Sequence, residues 1–308
     1  MKVEFSAKTD TGKVRKTNED SFCILQHANT AYICDGMGGH VAGALASRLG
    51  IETIEQLLPA FQPKKSENQL VKDLFIQIHQ SYPPQLPAEA IRLVKATQLA
   101  NLRIYNTTIE RPGLQGMGTT GIGISFFNNL FSVVHVGDSR AYRIRNNKIT
   151  QLTSDHSWLN ELIQAGRIKP ENTKTFSHKN IITRALGVGL TIPVDLKIEP
   201  IHENDIFLLS SDGLHDLVNS ETILDIYRKA GSLDDWTTQL VSAANSSGGK
   251  DNITVVGAHV TELDDIKNTL SFQGTIPTEE AEIISLEAEL LEMLFKNEAP
   301  ISKKTNSL

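Results

Sequence analysis

The sequence predicts an α+β fold built on antiparallel sheets. Strand-like runs arrive in blocks separated by blocks of helix, instead of alternating one by one as βαβ units would. Within residues 121–152 four such runs are joined by Asn128-Asn129, Gly137-Asp138 and Asn146-Asn147. Links that short join antiparallel neighbours, because a parallel crossover needs a dozen residues or more.

The elements follow in order. Residues 3–9, 21–26 and 31–34 are β-prone runs with turn residues between them. Residues 40–58 change to Ala, Leu and Ile at three- and four-residue spacings, the period of a helix with one buried face. Helical patterns also cover 67–80 and 87–109, and Pro83, Pro84 and Pro87 break the chain between them. The strand block 121–127, 130–136, 140–145 and 148–152 comes next. Residues 157–166 read as helix, followed by a polar stretch to residue 179 without a strong period. Residues 194–198 and 205–210 are strands, 220–230 and 233–244 helices, and 252–260 a final strand. There is no internal repeat.

Composition narrows the class. The chain has 308 residues, 40% hydrophobic and 21% charged, ordinary for a soluble domain with a sizeable core. No apolar run is long enough to span a bilayer, and Lys8 and Asp10 come too early for a signal-peptide core. Cys23 and Cys34 sit in apolar strand-like runs and read as buried thiols of a reducing compartment, so a cytoplasmic location is expected. The net charge of -6 resides in residues 262–308, which hold ten acidic and four basic residues. The remaining body is neutral, and no basic face supports nucleic-acid binding. Residues 262–277 read as a polar linker. Thr278 can cap a helix whose residues 283–295 show an apolar arc of roughly 220°. That face is too broad to leave in water, which suggests docking on this body, a second copy or a partner.

The aspartates carry the chemistry. Asp20 sits just ahead of one apolar run; Asp35, Asp138 and Asp212 end three others; Asp251 opens a fifth. One Asp-Gly at a strand end is more often a turn than a ligand. Five acids at strand ends that share a mouth are different, because crowded carboxylates either protonate or bind cations. All-oxygen ligands without Cys or clustered His favour hard six-coordinate ions such as Mg²⁺ or Mn²⁺.

The order of motifs overrides the turn reading. Arg15-Lys-Thr-Asn18-Glu19-Asp20 is followed by Asp35-Gly-Met-Gly-Gly-His40-Val-Ala-Gly43, Gly116-Met-Gly-Thr-Thr120 and Val136-Gly-Asp138-Ser-Arg140. Then come Ile182-Thr-Arg-Ala-Leu-Gly187, Ser211-Asp212-Gly-Leu214 and Asp251-Asn-Ile-Thr254. Together they closely resemble the metal-dependent serine/threonine protein phosphatases of type 2C, in their compact bacterial form, over about residues 3–260. The resemblance implies an αββα sandwich, two antiparallel sheets flanked by helices with the metal site at one end between the sheets. The catalytic domain would cover 1–261, with a flap at about 154–184, and 262–308 would be a docking or regulatory tail. It further implies that Asp35 bridges two Mg²⁺ or Mn²⁺ ions and that the Gly36 carbonyl binds one of them. Asp212 and Asp251 would complete the other ion's ligands, and Asp20 would hold metal-bound water. Asp138, with Asp212, would help hold a third, weaker ion, and Arg15 would grip the substrate phosphate. Water activated between the two ions would attack phosphoserine or phosphothreonine in proteins phosphorylated by a cognate kinase system.

One departure concerns the proton for the leaving group. Animal relatives have histidine directly after Asp-Gly, where this chain has Met37; His40 or a metal-bound water are the two candidates. His178 matches a flap histidine, with a plain surface role as the competing reading. Gly116-Met-Gly118-Thr-Thr-Gly121 fits a dinucleotide-binding pattern, but a β-prone run follows it where a helix should open. Two other functions remain to be separated by experiment: a phosphatase of small metabolites, and an inactive phosphatase fold that only docks partners.

Overall fold

A computed structural model describes residues 1–39, 41–60, 86–168 and 181–277. Five strands form one antiparallel sheet in the order β1 (Lys2–Asp10), β11 (Ile253–Glu262), β10 (Ile206–Ser210), β7 (Arg140–Arg145) and β8 (Lys148–Gln151). The second sheet runs β12 (Phe272–Ile276), β9 (Val194–Pro200), β6 (Leu130–Val136), β5 (Gly121–Phe127), β3 (Thr30–Met37) and β2 (Asp20–Leu25). A two-residue strand, β4 (Gly118–Thr119), pairs with the end of β3.

Apolar residues divide the molecule into layers. Val3, Ile33, Ile124, Phe131, Phe207 and Val256 belong to the core between the sheets. The neighbours Ile206 and Leu208 belong instead to a second core shared with Trp236 and Leu240. This period-2 division lets β10 be apolar from Ile206 to Leu209 and still serve two layers. Helices α1 (Val41–Ala60) and α2 (Ala88–Glu110) cover the seven-stranded sheet. A short helix α3 (Trp158–Gln164) follows β8, and α4 (Asp212–His215) follows β10. Helices α5 (Ser220–Lys229) and α6 (Leu233–Ser246) cover the five-stranded sheet. The αββα architecture expected from the sequence is thus present. Side-chain oxygens start the later helices: Asn219 accepts from Thr222 N at 2.9 Å and Ser232 from Asp235 N at 3.1 Å.

Two sequence readings change. Asn128-Asn129 and Asn146-Asn147 do form tight hairpins, with all four residues at positive φ. Gly137-Asp138 does not, because β6 and β7 lie in different sheets and the link steps across the sandwich. The second correction concerns residues 262–277, read as a polar linker. Here β12 adds an edge strand to the seven-stranded sheet, with Ile276 opposite Val194 and 4% exposed. The buried Asn129 amide donates to the carbonyls of Asp264 and Ile266 at 2.8 Å, and Gln98 donates to that of Pro277 at 3.1 Å. Phe272, Gly274 and Ile276 share one face, too small an apolar signal to emerge from polar surroundings. The expected helices at 67–80 and 278–295, with His40 and His178, lie outside the described residues.

Candidate metal centre

The chain brings the sequence-nominated acids to one end of the sandwich. Asp20 opens β2 directly opposite Asp35, near the end of β3. Asp138 sits on the link that crosses between sheets. Asp212 follows β10 and starts α4, and Asp251 precedes β11, the antiparallel neighbour of β10. Gly36 follows Asp35 where no side chain fits: a Cβ there would stand 2.1 Å from the Gly43 carbonyl oxygen.

Hydrogen bonds fix the backbone under these carboxylates. Asp35 N donates to Thr120 Oγ1 at 3.0 Å, and the Asp35 carbonyl accepts from Thr120 N and Thr119 Oγ1, each at 2.8 Å. Thr120 Oγ1 also lies 2.8 Å from Ser139 Oγ, tying that strand to the Asp138 link. Ser211 Oγ donates to Asp20 Oδ2 at 2.8 Å and accepts from Thr254 N at 2.9 Å. Asn252 holds the entering chain: Nδ2 donates to the carbonyls of Thr11 and Thr17, and Oδ1 accepts from Glu19 N at 2.8 Å. That segment carries Arg15, whose Nη2 donates to Asp251 Oδ2 at 2.7 Å. Both of these side chains keep substantial exposure.

The electrostatics of the cluster oppose the ionisation of its acids. Burial is the largest cause raising the Asp35 carboxyl, and the charges of Asp20, Asp212, Asp138 and Asp251 push it further, well above the usual carboxylate range. Burial and the charges of Asp138 and Asp251 raise Asp212 in the same way. Asp20 is pushed up to about 6, chiefly by burial, and Asp138 to about 6 by burial and by Asp155. Among the described residues Asp20 Oδ1, which is buried, has no hydrogen-bond partner. An orphaned carboxylate oxygen among oxygen donors that oppose one another's ionisation suits hard divalent cations. The residues present fit such a group.

Sequence reasoning missed several participants. Asp216 adds negative charge near Asp212 and Asp138, and its place four residues after Asp212, one helical turn on, was the available signal. Ser211 and Asn252 lie inside quoted motifs, but their roles are long-range hydrogen bonds that no local pattern reveals. The glycines at 118 and 121 serve packing: a Cβ would stand 2.8 Å from Met37 Cε at Gly118 and 2.6 Å from the Tyr32 hydroxyl at Gly121.

Two antiparallel sheets face to face, with carboxylates converging at one end, define an α+β sandwich whose acid cluster has the chemistry suited to divalent cations. The sequence model of protein phosphatase 2C matches residues 13–255, and the chain belongs to that family. It is 34% identical over 261 residues to the serine/threonine phosphatase stp of Listeria welshimeri, covering 83% of this chain and 94% of that one. It is also 34% identical over 262 residues to the serine/threonine protein phosphatase PstP of Mycobacterium tuberculosis, covering 85% of this chain and 46% of that longer one. The crystal structure of the M. tuberculosis phosphatase superposes with a TM-score of 0.71 at 32% identity, over 85% of this chain and all of that one. A structure of the PstP catalytic domain in complex with two manganese ions gives 0.69 at 32% identity, over 84% and 99% of the two chains.

Proposed function

We propose that this chain is a divalent-cation-dependent phosphatase that removes phosphate from phosphoserine and phosphothreonine in proteins. The observation that carries this reading is the cluster of Asp20, Asp35, Asp138, Asp212 and Asp251 at one end of the sandwich, with Arg15 paired to Asp251 at its edge. Asp35 and the Gly36 carbonyl would hold one Mg²⁺ or Mn²⁺, with Asp35 shared to a second ion completed by Asp212 and Asp251. Asp20, kept in place by Ser211, would accept hydrogen bonds from the inner water. Asp138, with Asp212, would serve a third and weaker ion. When bound, such ions activate water as a nucleophile near neutral pH and offset charge on the phosphoryl oxygens.

The chain's own residues do the rest. Arg15 is parked on Asp251, and its planar fork is the group suited to a phosphate monoester at the mouth. Asn252 fixes where Arg15 can reach by tying residues 11–19 to the start of β11. Thr119 and Thr120 keep the Asp35 backbone from sliding along β3.

Protein substrates of this kind are products of serine/threonine kinases, so a kinase partner system is the expected counterpart. Cys23 and Cys34 are unpaired buried thiols, consistent with a reducing, cytoplasmic setting. Among the described residues no helix is long and apolar enough to cross a membrane. Residues 278–308 would act as a docking or regulatory tail. The test is phosphate release from a phosphothreonine peptide and from a sugar phosphate, with Mn²⁺ and with a chelator. Mn²⁺-dependent release favouring the peptide supports the reading. Preference for the sugar phosphate would make this a metabolite phosphatase, and no release from either would make it a binding module.

A further inference from the structure

Gly137 leads into Asp138 with φ of +110°, backbone that a side-chain-bearing residue adopts only under strain. A link of that kind needs outside ties, and two consecutive residues, Asp155 and His156, supply them. Asp155 clasps the Arg140 guanidinium, accepting from Nε at 2.9 and 3.1 Å and from Nη2 at 2.6 Å. His156 brackets the Gly137 peptide. Its backbone N donates to the Gly137 carbonyl at 2.8 Å, and its Nδ1 accepts from Gly137 N at 3.0 Å. Because Nδ1 accepts, neutral His156 carries its proton on Nε2, which faces Asp195 Oδ2 at 3.0 Å.

Asp195 gathers two further contacts on Oδ1: Arg184 Nη1 at 2.9 Å and Thr275 Oγ1 at 2.7 Å. Burial alone would raise the Asp195 carboxyl, but hydrogen bonds from His156, Thr275 and Arg184 hold it well below the usual range. Thr183 N also donates to the His156 carbonyl at 2.9 Å. Residues 155–156 and 183–184, near the two ends of the 154–184 segment, therefore meet at one hub. Thr275 belongs to β12, beyond the matched family region.

We propose that His156 and Asp195 are positioning residues for Asp138, fixing the Gly137 peptide through one histidine tautomer, with Thr275 of β12 joined to the same hydrogen-bonded chain. The inference rests on the reading of Asp138 as a ligand of the third cation. His135, stacked on His156 with ring centroids 4.7 Å apart, groups with His156 and Asp195 as metal ligands do. The tautomer argues against that use. A cation at His156 Nε2 would displace the proton that answers Asp195, while Nδ1 is already occupied by Gly137.

The chemistry of the side chains dictates the test. In His156→Asn, Oδ1 takes the place of Nδ1 and keeps the Gly137 bond; in His156→Phe that bond is lost. Asp195→Asn puts an N–H donor against either His156 or Arg184. NMR on the full metal-free chain reads the His156 tautomer and the exchange rate of the Gly137 amide. Phosphothreonine-peptide turnover reads the Mn²⁺ concentration for half-maximal rate, with Asp138→Ala as reference. His156→Phe should speed Gly137 exchange and raise the Mn²⁺ requirement by about tenfold, the usual scale for losing a group that orients a ligand. Asp195→Asn should do the same to the Mn²⁺ requirement, with kcat recovering at saturating Mn²⁺, while His156→Asn stays near wild type. Equal effects of Asn and Phe at 156 would overturn the proposal. So would an unmoved Mn²⁺ requirement in His156→Phe when Asp138→Ala shifts it, or an Nδ1–H tautomer. If His156→Phe does not fold, Asp195→Asn against His156→Asn carries the same comparison. If Asp138→Ala leaves the Mn²⁺ requirement unchanged, the ligand reading of Asp138 is what fails.

Discussion

Ile276→Ala tests whether residues 262–277 belong to the folded body. Ile276 ends β12 at 4% exposure and joins the core that includes Val194, Leu196 and Leu99. Truncating a buried isoleucine to alanine costs about 2–4 kcal/mol, from lost transfer energy and the cavity left behind. At about 2–4 °C per kcal/mol for a domain of this size, the melting temperature should fall by roughly 5–15 °C. The assay is thermal unfolding by circular dichroism on the full chain, with a chain ending at residue 277 and one ending at residue 262 as companions. The chain ending at 277 should melt like full-length protein and the shorter one well below it. Turnover of a small phosphate ester at 25 °C should be nearly unchanged in Ile276→Ala, because β12 lies at the sheet edge away from Asp35. A shift of less than about 2 °C in Ile276→Ala would refute the packing argument.

Three more outcomes follow from the site. Asp212→Asn or Asp251→Asn should abolish turnover with the circular dichroism spectrum preserved, since both residues lie at the mouth and outside the hydrophobic core; wild-type turnover in either would contradict the assignment. Arg15→Ala should lower kcat/KM by about ten- to a thousandfold while calorimetric Mn²⁺ affinity changes little; loss of Mn²⁺ binding would contradict its phosphate role. Without metal, Asp20 and Asp138 keep protons to about pH 6 in the native state, whereas the unfolded chain releases them near 3.8. Their contribution is therefore present below pH 3.8 and lost as pH rises through about 6, a few kcal/mol on this scale. Melting of chelated protein should show that decline, and the stabilisation by added Mn²⁺ should be larger at pH 7 than at pH 5. The reverse trend would show that these acids ionise freely in the apo protein.

How much could be read beforehand differed by element. The strands and helices of the two sheets were legible because their apolar periods are long, and the paired asparagines marked two hairpins through their tolerance of positive φ. The crossing at Gly137-Asp138 was not, since a short link between strands looks alike whether it turns within a sheet or steps between sheets. β12 was hidden by its polar alternate residues, and its place depends on partners far along the chain, Asp195, Asn129 and Gln98. At the site, Asp20, Asp35, Asp138, Asp212 and Asp251 were legible as acids at the ends of apolar runs. The ties through Ser211, Asn252, His156 and Asp195 were not, because they join residues from 11 to more than two hundred positions apart with no local pattern to mark them.

The central claim is that the carboxylate cluster around Asp35 holds the cations on which turnover depends. Calorimetric titration of Mn²⁺ into chelator-stripped wild-type and Asp35→Asn protein, followed by phosphothreonine-peptide turnover on the same samples, tests it directly. The wild type should bind at least two ions and release phosphate only when they are present. Asp35→Asn should lose tight Mn²⁺ binding and turnover together while its fold persists, and Asp35→Asn protein that releases phosphate at the wild-type rate would contradict the account.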